Sequence, residues 1–194
     1  MRKRYEKLKI LSINGSPNRK GNTQNIANAI LKGAKKNDHS SKTIHLYDLE
    51  MNDCIACKDA NKIHIEKDCV HDDDFRNILL PEIREADLII FSSPVFMGHI
   101  TGKLKTMFDR WYTFILKDFK IRDLENKKFI SVVTSGASSE TFKDVSDYLE
   151  KWLGKDFFNL EKVAVIHEGD FTGESGESDK IELLEKYEKL GETL

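Results

Sequence analysis

Three stretches of this sequence hold residues whose types and spacing could do chemistry. The first is Asn14-Gly15-Ser16-Pro17-Asn18-Arg19-Lys20-Gly21-Asn22-Thr23-Gln24, which runs into an apolar helical repeat. Hydroxyls, amides and glycines at the start of a helix form an anion site, because unpaired backbone N–H groups point at the ligand and the helix dipole favours negative charge. A triphosphate loop of the form G-x-x-x-x-G-K-[ST] does not fit, because Gly15 and Gly21 stand one residue too far apart and Asn22 replaces the lysine. The dinucleotide pattern G-x-G-x-x-G fails at Ser16-Pro17, and a phosphatase loop would need a cysteine that is absent here. Two readings remain. Ser16, Asn22 and Thr23, with backbone N–H groups, hold one terminal phosphate through neutral donors, or Asn22 or Thr23 simply caps the helix after a turn.

The second stretch is Phe91-Ser92-Ser93-Pro94-Val95-Phe96-Met97-Gly98-His99, followed by Thr101-Gly102-Lys103-Leu104-Lys105. Apolar residues in a connecting loop, where backbone is usually exposed, favour a wall for a flat apolar ligand over a mere plug. Pro94 fixes the turn, Gly98 permits close approach, and Phe96 or Met97 covers the ligand. Thr134-Ser135-Gly136 makes a small-residue turn further on, which by itself could equally cap a helix.

The third stretch is Cys54-Ile55-Ala56-Cys57 with Cys69. Three cysteines fall short of the four thiolates of a usual iron–sulfur cluster. A zinc site would have to recruit His64 or His71 at an unusual spacing, and a redox C-x-x-C would have to open a helix. A structural role is the simplest reading, and no metal is expected. Elsewhere, Asp109-Arg110 reads as structural, with Arg110 holding a backbone or a neighbouring subunit. Trp111 and Trp152 lie on helical apolar stripes and are expected in the core. Glu168, Asp170, Glu174 and Glu177 read as a solvated turn. No catalytic side chain is expected.

These stretches need elements to hold them. Short apolar runs at 8–13, 42–46, 87–91, 129–133 and 163–166 read as buried strands. Between them lie helical stripes: Ile26, Ala27, Ile30, Leu31 and Ala34; Leu104, Met107, Phe108, Trp111, Phe114 and Ile115; Phe142, Val145, Leu149 and Trp152; and Leu183, Tyr187, Leu190 and Leu194. A further helix is expected from Asp72, with three aspartates at its positive end and Pro81 kinking or splitting it. Alternating strand and helix predicts βαβ units with right-handed crossovers. The fold class is α/β: a doubly wound, five-stranded parallel sheet of flavodoxin-like order 2-1-3-4-5 with helices on both faces. Ligands of such sheets sit beyond the carboxyl ends of the strands, so the loops after residues 13, 91 and 133 converge on one site.

Gly15-Ser16-Pro17-Asn18-Arg19-Lys20-Gly21-Asn22-Thr23 resembles the G-S-P-R-x-x-G-N-T loop of the NADPH-dependent FMN reductase family, which includes the iron–sulfur flavoproteins. Ser93-Pro94-Val95-Phe96 with Leu104-Lys105 and Asp109-Arg110 resembles that family's S-P-V-Y…LK…DR segment. Asn18 stands at a frequent arginine position, with Arg19 next door, and Ala60 stands where a third clustered cysteine would fall. The resemblance runs over essentially the whole chain. It implies FMN as cofactor, NADPH or NADH as electron donor and a small-molecule electron acceptor such as a quinone, a nitro or azo compound or a flavin. It places the flavin on Ser16, Asn18, Asn22, Thr23 and Gln24, on Pro94, Val95, Phe96, Met97 and Gly98, and on Thr134, Ser135 and Gly136. It also implies a homodimer or homotetramer, with the cysteine segment as a lid or oligomer contact. An electron carrier serving protein partners is the alternative.

Composition narrows the class. The 194 residues suit one domain. Lys+Arg 31 against Asp+Glu 33 gives a net charge of -2, which argues against a nucleic-acid binder and also against an acidic electron carrier. No apolar run approaches the roughly 18 residues of a membrane helix, and the basic start lacks the apolar stretch of a signal peptide. Three cysteines suit a reducing compartment, hence a cytoplasmic location.

Overall fold

The longest apolar runs of the sequence become the middle of the sheet. The computed structural model describes residues 7–57, 68–116, 119–171 and 177–194. Five parallel strands, β1 (Lys9–Asn14), β2 (Ser40–His45), β3 (Leu88–Pro94), β4 (Lys128–Thr134) and β5 (Glu161–Glu168), stand in the order β2-β1-β3-β4-β5. The central three are buried nearly end to end, whereas β2 and β5 are edge strands and largely accessible.

Successive strand residues face opposite sides, so each face has its own core. Leu11, Ile13, Ile89, Phe91, Phe129 and Val133 pack under α2 (Leu80–Glu85), α3 (Gly102–Arg110) and α4 (Lys143–Leu153). Ile10, Leu88, Ile90, Ile130 and Val132 pack under α1 (Asn22–Lys35) and α5 (Glu177–Glu192). The latter two helices touch backbone to backbone. A Cβ on Gly33 would lie 1.9 Å from the Glu188 carbonyl oxygen, and one on Gly191 would lie 2.0 Å from that of Ile30.

Several sequence expectations are corrected here. Trp152 is 39% exposed, not core. The buried row of α4 runs through Val145, Leu149 and Leu153, four residues apart, which turns Trp152 outward. The segment before α2 does split, as a π-helical turn at Phe75–Leu79 with Pro81 in the first α turn beyond it. Its three aspartates do not cap it. Asp74 accepts from the Glu50 N–H at 2.8 Å, Asp72 from Asn77 Nδ2 at 2.9 Å, and Asp73 from Arg110. Asp74, and Asp73 through the Asn52 N–H at 2.9 Å, instead fasten the chain that follows β2.

Candidate functional site

The carboxyl ends of β1, β3 and β4 carry the three predicted loops, and hydrogen bonds tie those loops to one another. Gly15 N–H donates to Ser92 O at 2.8 Å, and Thr101 Oγ1 donates to Gly15 O at 2.7 Å. Val95 N–H donates to Thr134 O at 2.8 Å. Thr134 Oγ1 lies 2.5 Å from Thr23 Oγ1, which closes the ring of loops. A Cβ on Gly15 would meet Leu104 Cβ at 2.9 Å, so the first loop lies flat against α3.

The first loop ends in an anion-ready helix start. The N-cap of α1 is Gly21, with no side-chain cap and no acidic residue in the first turn. Neither Asn22 nor Thr23 caps the helix, which removes the simpler reading of these residues. The leading N–H groups keep their donors and the dipole is uncompensated. Ser16 is buried, and its Oγ accepts from Asn18 N–H at 3.1 Å. Asn18 is exposed, and its Oδ1 accepts from Lys20 N–H at 3.0 Å. Asn22 is half-buried at the helix start. Gln24 turns inward, accepting from Asn14 Nδ2 and donating to Asn28 Oδ1 at 2.6 Å, so its side chain braces β1 against α1. Arg19 pairs with Asp48, so it is engaged away from the cradle.

The second loop is a hairpin turn. Phe96 N–H donates to His99 O at 2.8 Å, and His99 N–H donates back at 3.1 Å. Met97 and Gly98 between them have φ of 48° and 76°, the signature of a type I′ turn. Glycine at 98 suits this backbone conformation, and a Cβ there would meet no other protein atom within 4 Å. Pro94 and Val95 are half-buried, while Phe96 and Met97 project, Met97 fully exposed. His99 meets Tyr148 edge-on, ring centroids 4.8 Å apart.

In the third loop Thr134 and Ser135 are buried and Gly136 is exposed, with open space where its Cβ would stand. Ser135 N–H donates to Glu168 O at 3.0 Å, and Asp170 N–H donates to Ala137 O at 3.1 Å. The side chain of Glu168 accepts from Tyr187 Oη and, at 2.9 Å, from Lys186 Nζ, so it is a latch and not a solvated acid. Glu174 lies outside the described residues.

The sequence expectations missed the residues that join the loops. Ser92 and Ser93 extend β3 past its apolar run. Thr101 both caps α3, accepting from Leu104 N–H at 3.4 Å, and holds Gly15. A threonine just ahead of Gly102-Lys103-Leu104 is a readable N-cap signal. Its bond to Gly15 crosses 86 positions and is not readable.

The cysteine segment is anchored by Arg110, which is buried. Its guanidinium forks onto Asp73 at 2.9 Å, donates to Asn52 O at 2.8 Å and reaches Cys69 Sγ at 3.0 Å. Burial disfavours the Asp73 charge, but Arg110 and the Asn52 N–H outweigh it and hold that carboxyl well below the usual carboxylate range. Arg110 thus holds its own chain, while Asp109 makes an exposed helix pair with Lys105. Cys54 and Cys57 are half-buried, and burial pushes the Cys57 thiol up. Ala60 and His64 lie outside the described residues. Among the described residues no three His, Cys, Asp or Glu side chains stand together as a metal site.

An aromatic groove of about 500 Å³ opens between α3 and α4, walled by Phe108, Tyr112, Tyr148, Trp152 and Phe157. None of the three loops lines it, but Tyr148 in its wall meets His99 of the second. No described helix is long and apolar enough to cross a membrane.

The donors suit a phosphate monoester at the α1 start, and the open space at Gly98 and Gly136 suits a flat ring beyond it. Comparison with known proteins gives the family and the fold. The NADPH-dependent FMN reductase profile matches residues 8–167. An iron-sulfur flavoprotein of Archaeoglobus fulgidus is 35% identical over 129 residues, 66% of this chain but 60% of that protein. An NAD(P)H:quinone oxidoreductase from Methanothermobacter marburgensis has the same fold, with TM-score 0.77, 16% identity and 97% coverage of both chains. So has an FMN-dependent NADH-azoreductase from Bacillus anthracis solved with FMN, at TM-score 0.69 and 14% identity, covering 96% of this chain and 98% of that one.

Proposed function

The chain belongs to the NADPH-dependent FMN reductase family, and on that premise we propose that it is an FMN-dependent oxidoreductase taking electrons from NADPH or NADH to a small acceptor. The observation that carries this reading is the uncapped, acid-free start of α1, joined to two further strand-end loops around open space. Bound FMN would supply the hydride chemistry. The protein's part is to hold and orient it. Ser16, Asn22, Thr23 and the first N–H groups of α1 hold the phosphate, with Asn18 at the rim and Gln24 bracing the helix from behind. Pro94, Val95, Phe96, Met97 and Gly98 wall one side of the ring, and Thr134, Ser135 and Gly136 support another. No side-chain acid or base is assigned. The acceptor is a quinone, a nitro or azo compound or a flavin, all flat enough for an open apolar ring face.

A homodimer or homotetramer is proposed as the working form. Phe96 at 48%, Met97 at 102% and Trp152 at 39% exposure, beside an aromatic groove, supply apolar surface for a second copy.

The names of the curated relatives favour a second reading, an electron carrier with an iron–sulfur cluster. Three cysteines do not fit a four-thiolate cluster, and Cys69 is committed to Arg110. Anaerobic addition of NADPH or NADH to FMN-loaded protein separates the two. Bleaching of the flavin bands without a second protein is expected; bands that persist until a reductase is added would show a carrier.

A further inference from the structure

The third loop has a support that the reaction above does not use. Ser135 Oγ lies 2.7 Å from Ala137 O and 3.2 Å from His167 Nε2. A carbonyl oxygen only accepts, so the serine proton points at Ala137. The hydroxyl is then an acceptor toward the imidazole, which places a proton on Nε2 and leaves Nδ1 bare. That Nδ1 is buried and has no hydrogen-bond partner. A proton added there would be an N–H without an acceptor, a costly arrangement. The charged groups around the ring are Glu168 on its own strand, Asp144 in α4 and Glu140 in the loop before α4. All three favour the imidazolium, but burial outweighs them and holds His167 below its ordinary value of 6.5.

We propose that His167 is a positioning residue of the FMN site: as the neutral Nε2–H tautomer it fixes the Ser135 hydroxyl, and with it the Ser135-Gly136-Ala137 turn that faces the ligand. The inference rests on the FMN reading. The turn is already held on its backbone side by Glu168 O and the Asp170 N–H. The imidazole adds the side-chain brace, which leaves Gly136 facing the open space. A charged ring must leave its niche to solvate Nδ1–H, and the brace goes with it. Flavin affinity therefore falls as pH drops through the value for His167.

The experiment compares wild type, His167→Gln and His167→Leu by FMN titration between pH 5 and 8, with 15N imidazole spectra of the FMN-free protein and thermal unfolding of each variant. The glutamine amide reaches where Nε2 stood and restores a donor that cannot titrate. The expected spectrum is that of the Nε2–H tautomer. At pH 8 the leucine variant loses about tenfold in FMN affinity, while the glutamine variant stays within about twofold of wild type. Because the flavin phosphate titrates in the same range, the imidazole's share is the steeper acid loss of wild type over His167→Gln. An Nδ1–H spectrum, equal affinity in His167→Leu and wild type, loss in both variants alike, or identical acid profiles would each overturn the proposal. Wild type that binds no FMN at any pH would overturn the FMN reading itself, which the other outcomes leave standing.

Discussion

The hydroxyl oxygens of Thr23 and Thr134 lie 2.5 Å apart, joining the first turn of α1 to the end of β4 across 111 positions of sequence. One hydroxyl of the pair donates and the other keeps its proton for a further acceptor. The contact therefore locks the start of α1 to the end of β4 and leaves one donor over.

Thr23→Val removes a hydroxyl from both roles. FMN affinity is expected to fall roughly fivefold to tenfold, the worth of about 1 kcal/mol for a hydrogen bond. Thr134→Val should cost less, because it removes the lock but leaves the α1 phosphate donors and the Thr134 backbone in place. A double-mutant cycle on FMN titrations measures the coupling. Additive losses would show that the two hydroxyls act independently.

Arg110 and Asp73 form a buried pair with side-chain exposures of 0% and 6%. Arg110→Met strands the carboxylate and should destabilise the protein by about 3–5 kcal/mol. The pair also sets the acid limb of stability. A carboxyl held below its unfolded value of about 3.9 stabilises the fold above that pH, and the gain is lost as pH falls through the lower folded value. Urea unfolding from pH 5 down to pH 2 should show that loss in wild type and a weaker one in Asp73→Asn.

Tyr187 is buried, and burial together with its bond to Glu168 pushes its phenol well above the ordinary tyrosine range. The unfolded chain ionises first, near pH 10, so stability should fall as pH rises through that value. Tyr187→Phe should remove the alkaline loss while costing about 1 kcal/mol at pH 7. Chemical unfolding at pH 7 and 10.5 tests both.

Gly191→Ala places a methyl group where the Ile30 carbonyl oxygen lies 2.0 Å away. Neither backbone can yield without separating α1 from α5, so a loss of about 2 kcal/mol or more is expected. Gly136→Ala, where nothing lies within 4 Å, should leave thermal stability nearly unchanged and lower FMN affinity instead. Melting curves and FMN titration of the two variants distinguish a packing glycine from a site glycine.

The sequence by itself determined five strands that suit the order 2-1-3-4-5, the two-faced core and the three loops that meet beyond the sheet. Periodicity is local, and the apolar runs of β1, β3 and β4 admit only a buried centre. Sequence likewise marked Ser16, Asn22 and Thr23, because helix-start chemistry is written in neighbouring residues. Only the tertiary structure decided what those residues are free to do. Gln24 faces β1, Arg19 is taken by Asp48, and Gly98 takes the positive φ of its turn. Trp152 left the core because a quarter-turn of α4 is beyond what a stripe resolves. His167, Thr101 and Glu168 acquired their roles through partners 19 to 86 positions away. Such bonds depend on how elements pack, and no local pattern encodes them.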